Sequence, residues 1–245
     1  MKNNVVIISA FPKSGSSYLN NLCATLFDYN KDIACFIRKS NEQDLYLPKI
    51  EELLLLNGTV VRHHFRATHN NIQIIEENNL KNIVLVRNIY DVLVSWKDDF
   101  LKGLPKQNTC IGGFGGIGYV SKSFLELSNQ KQNEYLIDIL APWLIQYYAS
   151  WYNYAQNNSN ILILTYEDLV ENTSSNLKNI GSFHEKDFSQ DYIDNVINKV
   201  SLQLESNNFN VGKQGRGNIL SKDLIEKTKK FKLYYPEVDF SLIGL

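Results

Sequence analysis

The fold is decided near the start of the chain, where residues 5–19 read Val-Val-Ile-Ile-Ser-Ala-Phe-Pro-Lys-Ser-Gly-Ser-Ser-Tyr-Leu. The first five are mostly apolar and β-branched, which predicts a short buried strand of a parallel sheet. An apolar stripe with helical spacing follows the loop, formed by Leu19, Leu22, Cys23 and Leu26. The chain thus runs from strand to tight loop to helix, and Lys13 lies in the loop. Backbone N–H groups and the positive end of the helix dipole would meet there, which suits a phosphate-like anion.

This loop differs from the Walker A motif of nucleoside triphosphatases. That motif ends in Gly-Lys-Ser/Thr and holds Mg²⁺ with its hydroxyl, whereas here the only glycine, Gly15, follows Lys13. From the loop alone, two interpretations stay open. It is either an anion-binding loop or an ordinary strand–helix turn with a surface lysine.

Length and composition favour one globular domain. The chain has 245 residues, 44% of them hydrophobic, and a formal net charge of -1, so we expect a single domain over residues 1–245 and no nucleic-acid partner. No apolar run approaches the ~20 residues of a membrane span, and the N-terminus lacks a signal-peptide cleavage site, so we expect a cytoplasmic protein. Cys23, Cys35 and Cys110 are too widely spaced to suggest a disulfide framework or a zinc site. The sequence does not indicate an oligomeric state.

Three more short apolar runs follow along the chain. They are residues 59–61, 83–86 and 161–164. Strands that alternate with helices predict an α/β fold, a three-layer αβα arrangement with a central parallel sheet. In such sheets ligands bind beyond the carboxyl ends of the strands. The side chains that follow the four predicted strands are Lys13, His64, Arg87 and Tyr166. We therefore expect these four groups at one edge of the sheet.

Other segments give local predictions. Residues 111–118 hold five of the chain's 13 glycines and cannot form a stable helix interior, so we predict a flexible glycine-rich loop around 101–132. It is either a lid or acceptor-binding loop, or an unstructured insertion. Pro142 suits the first turn of the helix that follows, and Ser221 is placed to cap a final helix. Residues 28–48 show no clear periodicity.

At four places the sequence resembles the cytosolic-type sulfotransferases that use 3′-phosphoadenosine 5′-phosphosulfate (PAPS). Residues 11–19, Phe-Pro-Lys-Ser-Gly-Ser-Ser-Tyr-Leu, are similar to that family's phosphosulfate loop, usually written YPKSGTTWL. Residues 86–95, Val-Arg-Asn-Ile-Tyr-Asp-Val-Leu-Val-Ser, resemble its 3′-phosphate motif, ARNPKDVAVS. Residues 61–65 resemble the KTHLP segment, and residues 165–169 resemble the YEDL stretch. The similarity runs from residue 5 to 169, and more weakly to 231.

The resemblance implies an enzyme that moves a sulfuryl group from PAPS to an acceptor, with adenosine 3′,5′-bisphosphate (PAP) as product and no metal. Lys13 and His64 would be catalytic, because Lys13 neutralises the leaving oxygen and His64 takes the acceptor's proton. The 5′-phosphosulfate would be held by Lys13, Ser14, Gly15, Ser16, Ser17 and Tyr18. Arg87 and Ser95 would bind the 3′-phosphate, and Tyr166 would lie near the adenine.

The two adjoining histidines should have different roles. On a strand, the side chains of His63 and His64 point to opposite faces, so only one reaches the site. A group that titrates near neutrality suits a general base. The resemblance selects His64 for that role, which leaves His63 as a structural residue.

Two departures from the family pattern affect the site. Tyr18 stands where the family has a tryptophan, and the family's C-terminal Arg-Lys-Gly before Gly-Asp-Trp has no basic pair here, where residues 210–212 and 215–217 align. Lys213, Gly215 and Arg216 are therefore the candidates for the missing part of the nucleotide site.

The acceptor is expected to be a small polar molecule that offers a hydroxyl, with an amine as the less favoured alternative. Phe11, His64, Asp98 and Asp99 are the candidate contacts. If the two aspartates face inward, they favour a cationic or polyhydroxylated acceptor; otherwise they form a solvated acidic helix face. Two other functions stay open, a small-molecule P-loop kinase that uses Mg-ATP and a non-catalytic nucleotide-binding protein.

Overall fold

A computed structural model describes residues 4–36, 43–103, 120–206 and 213–245 of the chain. Its strands are β1 (Val5–Ala10), β2 (Asn30–Asp32), β3 (Thr59–His63), β4 (Lys81–Val86) and β5 (Ile161–Thr165). Its α-helices are α1 (Ser16–Phe27), α2 (Leu47–Leu54), α3 (His69–Glu77), α4 (Ile89–Gly103), α5 (Asn129–Ala155), α6 (Tyr166–Glu171), α7 (Thr173–Phe183), α8 (Gln190–Ser206) and α9 (Lys222–Lys230). All pairings between these strands are parallel.

The order of strands in the sheet places the predicted site residues side by side. The strands run β2-β3-β1-β4-β5, so the four strands that end near predicted site residues are consecutive neighbours. His64, Lys13, Arg87 and Tyr166 follow them in that spatial order. The carboxyl edge of the sheet therefore gathers the four groups, as the sequence predicted.

Two separate apolar clusters cover the two faces of the sheet, which confirms the three-layer αβα prediction. One cluster packs Ile7, Val61 and Val84 against α4 and α5. The other packs alternate residues of the same strands, such as Ile8 and Val60, against α1 and α8. Because both faces are covered, the central strands carry consecutive apolar residues, such as residues 5–8 of β1 and 83–86 of β4.

Helix α5 is longer than the sequence suggested. Pro142 was expected in the first turn, yet it lies inside a 27-residue helix. A proline there removes one backbone hydrogen bond, at a cost of ~3 kcal/mol. The helix continues because buried side chains occur on both sides of the proline, from Leu136 and Leu140 to Leu144 and Trp151. Packing against the sheet thus outweighs the local break.

The predicted loop around 101–132 is shorter than expected, because helical residues occupy both ends of that range. Residues 101–103 complete α4, and Lys122–Glu126 form a short 3-10 helix that Ser121 caps. Ser128 then caps α5 by accepting a hydrogen bond from the backbone of Lys131. The glycine run 111–118 lies outside the described residues.

Of the remaining local features, one was predicted correctly and one was missed. Ser221 caps α9 by accepting from the Leu224 N–H group, as expected. The sequence missed strand β2, which lies within the stretch that showed no periodicity. It is a three-residue edge strand of polar and mostly exposed residues, so it has no apolar pattern to detect.

Candidate nucleotide and sulfuryl-transfer site

The loop between β1 and α1 is a tight turn built around Phe11. The carbonyl of Phe11 accepts from the Ser14 N–H group at 3.3 Å and from the Ser14 hydroxyl at 2.7 Å. Lys13 and Gly15 have φ angles of 64° and 79°, both in the left-handed region. Since Gly15 supplies no side-chain cap, the first N–H groups of α1 remain available for an anion.

Some residues predicted to hold the phosphosulfate shape the loop instead of facing a ligand. Ser14 is fully buried, and its hydroxyl is used inside the turn. Phe11 is also fully buried, and its ring packs edge-on against Tyr147; its contact with the acceptor stays a prediction. Ser17 and Tyr18 are half-buried in the first turn of α1.

Tyr166 supports the loop from the neighbouring strand end. A Cβ atom added to Gly15 would lie 2.5 Å from the Tyr166 ring, so the glycine lets the ring approach the backbone. The guanidinium carbon of Arg87 lies 4.5 Å from the centroid of the same ring. Tyr166 is only 3% exposed. It therefore braces the loop and Arg87, and little of its ring is open to an adenine.

Arg87 is buried and both of its terminal nitrogens donate to the chain, while its Nε has no hydrogen-bond partner among the described residues. It is 2% exposed, and its two terminal nitrogens donate to the carbonyls of Lys13 and Lys213, each at 2.9 Å. One of them also lies 3.4 Å from the carboxylate of Asp91. The predicted ligand of the 3′-phosphate thus ties the phosphosulfate loop to the segment that begins at residue 213.

That segment, residues 213–219, is fixed on the start of α4. Asp91 accepts hydrogen bonds from the N–H groups of Gly215 and Gly217, at 2.9 and 2.7 Å. A Cβ atom on Gly217 would lie 2.3 Å from that of Tyr90, so only a glycine permits this approach. The contacts bring Arg216, a candidate replacement for the family's missing basic pair, onto the side of α4.

Both aspartates that were predicted to meet the acceptor are paired with cations. The Lys13 ammonium donates to Asp99 at 2.7 Å, and the Arg216 guanidinium donates to Asp98. The two carboxylates therefore lie at the site, as expected if they face inward. Their partners, however, are two of the cations expected to bind the nucleotide. Ser95 lies one turn earlier on the same helix and is half-buried.

The two histidines make separate contacts, as the alternation along a strand predicted. His63 is buried, and its Nε2 accepts from the Ala34 N–H group at 2.7 Å. His64 Nδ1 donates to the carbonyl of Ala10 at 2.7 Å. Since a carbonyl can only accept, Nδ1 carries the proton and Nε2 is free to take another.

The surroundings of His64 favour its neutral form. Burial is the main reason that the pKa of His64 falls to about 4; the hydrogen bond to Ala10 opposes this shift, and the positive charge of Arg62 adds to it. The imidazole is therefore uncharged at neutral pH. A neutral imidazole that is fixed through Nδ1 can act as a proton acceptor at Nε2.

Arg62 is a site residue that the sequence reading missed. Its guanidinium donates to the Ser16 hydroxyl at 2.8 Å, at the start of α1. Arg62 lies in β3 and His64 directly follows the strand, two residues later, so their side chains share one face. This alternation could have identified Arg62 from the sequence. A basic residue two positions before His64 lies on the same face of the strand and points toward the same loop.

The part of the chain that the structure describes contains neither a metal-binding cluster nor a membrane-spanning helix. Over residues 4–36, 43–103, 120–206 and 213–245, no three His, Cys, Asp or Glu side chains are grouped so that they could hold a metal ion. Within the same ranges, every helix is too short or too polar to cross a bilayer.

A strand–loop–helix turn with an open helix N-terminus, at the carboxyl edge of a parallel sheet, defines a P-loop-like phosphate-binding protein. The sequence profile of a family described as "Sulfotransferase domain" matches residues 3–232, and the chain belongs to this family. The match confirms the resemblance seen in the four motifs.

Two curated relatives show the extent of the similarity. Sulfotransferase 1 family member D1 of Mus musculus is 22% identical over 211 residues, which cover 83% of this chain and 66% of the relative. The amine sulfotransferase of Oryctolagus cuniculus is 27% identical over 158 residues, which cover 61% of this chain and 44% of the relative. The matched part thus spans less than two thirds of either relative.

Solved structures share the fold. The mouse sulfotransferase SULT7A1, complexed with PAP, matches 99% of this chain and 86% of its own, with a TM-score of 0.70 at 14% identity. Retinol dehydratase, in complex with androsterone and inactive cofactor PAP, matches 97% and 82%, with a TM-score of 0.59 at 10% identity. At these identities the comparison establishes the architecture.

Proposed function

We propose that this protein is a PAPS-dependent sulfotransferase that transfers a sulfuryl group to a hydroxyl of a small polar molecule, with an amine as the less favoured acceptor. The observation that carries the proposal is the setting of His64. Its Nδ1 is held by the carbonyl of Ala10, one residue before the phosphosulfate loop, so a base and an anion-binding loop share one edge of the sheet. Membership of the sulfotransferase family supports this assignment.

The residues around the loop fit the phosphosulfate end of PAPS. The open N-terminus of α1, the Lys13 ammonium and the Arg62 guanidinium all supply positive charge to one turn. Ser17 adds a hydroxyl in the first turn of α1. When bound, PAPS supplies a sulfuryl group that is already activated on a phosphate. We assign this end of the nucleotide to Lys13, Arg62 and the first N–H groups of α1.

The 3′-phosphate is assigned to Ser95 and Arg216, with Lys213 of the same segment as a further candidate. Arg216 pairs with Asp98, and Asp98 lies three residues after Ser95, so the guanidinium and the hydroxyl share one side of α4. Arg87 has a different part in this proposal. Because it is buried and bound to two carbonyls, it positions the loop and segment 213–219 relative to each other.

The chemistry assigned to this chain needs little covalent help. His64 takes the proton of the acceptor hydroxyl at Nε2, which leaves the oxygen free to attack the sulfur. Lys13 and the N–H groups of α1 stabilise the negative charge that develops on the leaving phosphate. The reaction then yields the sulfated acceptor, PAP and one proton. Positioning and charge stabilisation would account for most of the catalysis, as in phosphoryl transfer.

Ligand-dependent thermal unfolding tests this function. PAP at 100 times its Kd should add ~2.7 kcal/mol to the unfolding free energy, and PAP should bind at least tenfold more tightly than AMP, which lacks the 3′-phosphate. Equal affinities for PAP and AMP would rule out the PAPS assignment. Stabilisation by Mg-ATP alone would favour a small-molecule kinase, and PAP binding without any sulfated product from a panel of alcohols would favour a non-catalytic nucleotide-binding protein.

A further inference from the structure

Two neighbouring carboxylates on α4 hold two of the cations of the proposed nucleotide site. Lys13 donates to Asp99 at 2.7 Å, and Arg216 donates to Asp98. These partners come from distant parts of the chain, 86 and 118 residues away. Consecutive positions on a helix point about 100° apart, so one carboxylate reaches the loop and the other reaches segment 213–219.

The exposure of these pairs permits exchange. The side chains of Lys13 and Asp99 are 32% and 33% exposed, and those of Arg216 and Asp98 are 29% and 41% exposed. Ion pairs at such positions are weak, because water screens both charges. Arg87 and Asp91, by contrast, are each 3% exposed and lie beneath the loop. An incoming phosphate therefore meets the two exposed pairs first.

From these contacts we infer that Asp98 and Asp99 are positioning residues that compete with the nucleotide for Arg216 and Lys13. The inference rests on the proposed PAPS-binding function. The carboxylates hold the two cations near their working positions, and the phosphates of the nucleotide take them over. Since carboxylate and phosphate are both negative, one cation cannot satisfy both without like-charge repulsion between them. Binding thus includes an exchange of ion-pair partners.

The direction in which Asp99→Asn changes PAP affinity distinguishes competition with the nucleotide from a purely structural role. If Asp99 only supported the shape of the site, its removal would weaken PAP binding. If it competes with the nucleotide, Asp99→Asn should tighten PAP binding. The strength of a partly exposed ion pair corresponds to a gain of about 1.5- to 5-fold in Kd. Asp98→Asn should give a gain of similar size through Arg216.

Calorimetry with PAP measures the effect directly. Asp99→Asn and Asp98→Asn are compared with wild type and with Asp138→Asn. The control removes one carboxylate from a pair of similar exposure, Asp138 with Lys227, outside the loop, α4 and segment 213–219. Asp99→Glu, which keeps the charge, should bind PAP like wild type. The gain in the two asparagine variants should shrink toward the control value as the salt concentration rises from about 0.05 to about 0.5 M, because salt screens these exposed charges. Unchanged or weaker PAP binding by both variants overturns the proposal.

Chemical labelling of Lys13 provides a second readout that needs no nucleotide. Asp99→Asn should increase the rate at which an amine-reactive reagent modifies Lys13, measured by mass spectrometry, while Asp98→Asn should leave that rate unchanged. Equal labelling of Lys13 in wild type and Asp99→Asn would refute the pairing. If wild type fails to bind PAP but the labelling difference is observed, the proposed function fails and the Lys13–Asp99 contact stands, so the two failures are distinguishable.

Discussion

Arg87→Ala tests whether the buried arginine supports the shape of the site or contacts the nucleotide directly. The change removes the donor to the carbonyls of Lys13 and Lys213 and leaves the carboxylate of Asp91, 3% exposed, without its cation. Breaking a buried pair by removing one partner typically costs about 3–5 kcal/mol. Natural domains have only ~5–15 kcal/mol of stability in total. We therefore expect a melting temperature lowered by roughly 6–20 °C.

Urea unfolding and PAP titration are measured on Arg87→Ala and on Arg216→Ala. As a brace, Arg87 should be needed for stability whether or not PAP is present. Arg216 is 29% exposed in its side chain, so its loss should change the unfolding free energy by less than about 1 kcal/mol and weaken PAP binding. An Arg87→Ala variant with wild-type stability and lost PAP binding would show that the bracing argument is wrong and that Arg87 is the phosphate ligand.

Further predictions concern the loop and the two histidines. His64→Ala should abolish transfer to an alcohol in a product assay yet keep PAP affinity in calorimetry, whereas His63→Gln should keep transfer but lose about 1–3 kcal/mol of stability in urea. Because burial lowers the pKa of His64 to about 4, the imidazole is neutral above that pH, and the acidic limb of kcat/KM should lie near pH 4 and not near 6.5. Lys13→Ala should lower kcat by about 100-fold or more while PAP binding changes less. Gly15→Ala should weaken PAP binding and lower the melting temperature, because its Cβ would meet Tyr166.

Much of the fold follows from local patterns. The apolar runs of β1, β3, β4 and β5 are visible because strands buried on both faces read as continuous hydrophobic stretches. The parallel α/β topology then brings Lys13, His64, Arg87 and Tyr166 to one edge. That edge could be predicted because a parallel sheet places all its carboxyl ends together.

The parts that sequence reasoning missed depend on distant contacts. The ion pair between Lys13 and Asp99 joins residues 86 positions apart, and no spacing rule predicts which cation a helix carboxylate will meet. The burial of Arg87 depends in the same way on segment 213–219, which the distant Asp91 holds against the start of α4. Local patterns located these residues at the site but could not assign their partners.

The pairing also changes how the acceptor expectation should be understood. Asp98 and Asp99 were expected to favour a cationic acceptor, yet each carboxylate already has a cation from the chain itself. Under the proposed exchange, the carboxylates become available only after the nucleotide has taken Lys13 and Arg216. An acceptor with a positive charge would then relieve the repulsion between phosphate and carboxylate, and it would have to bind second. On this proposal, a preference for a cationic acceptor would exist only in the nucleotide-bound protein. The order of binding and the charge of the acceptor would then both follow from Asp98 and Asp99.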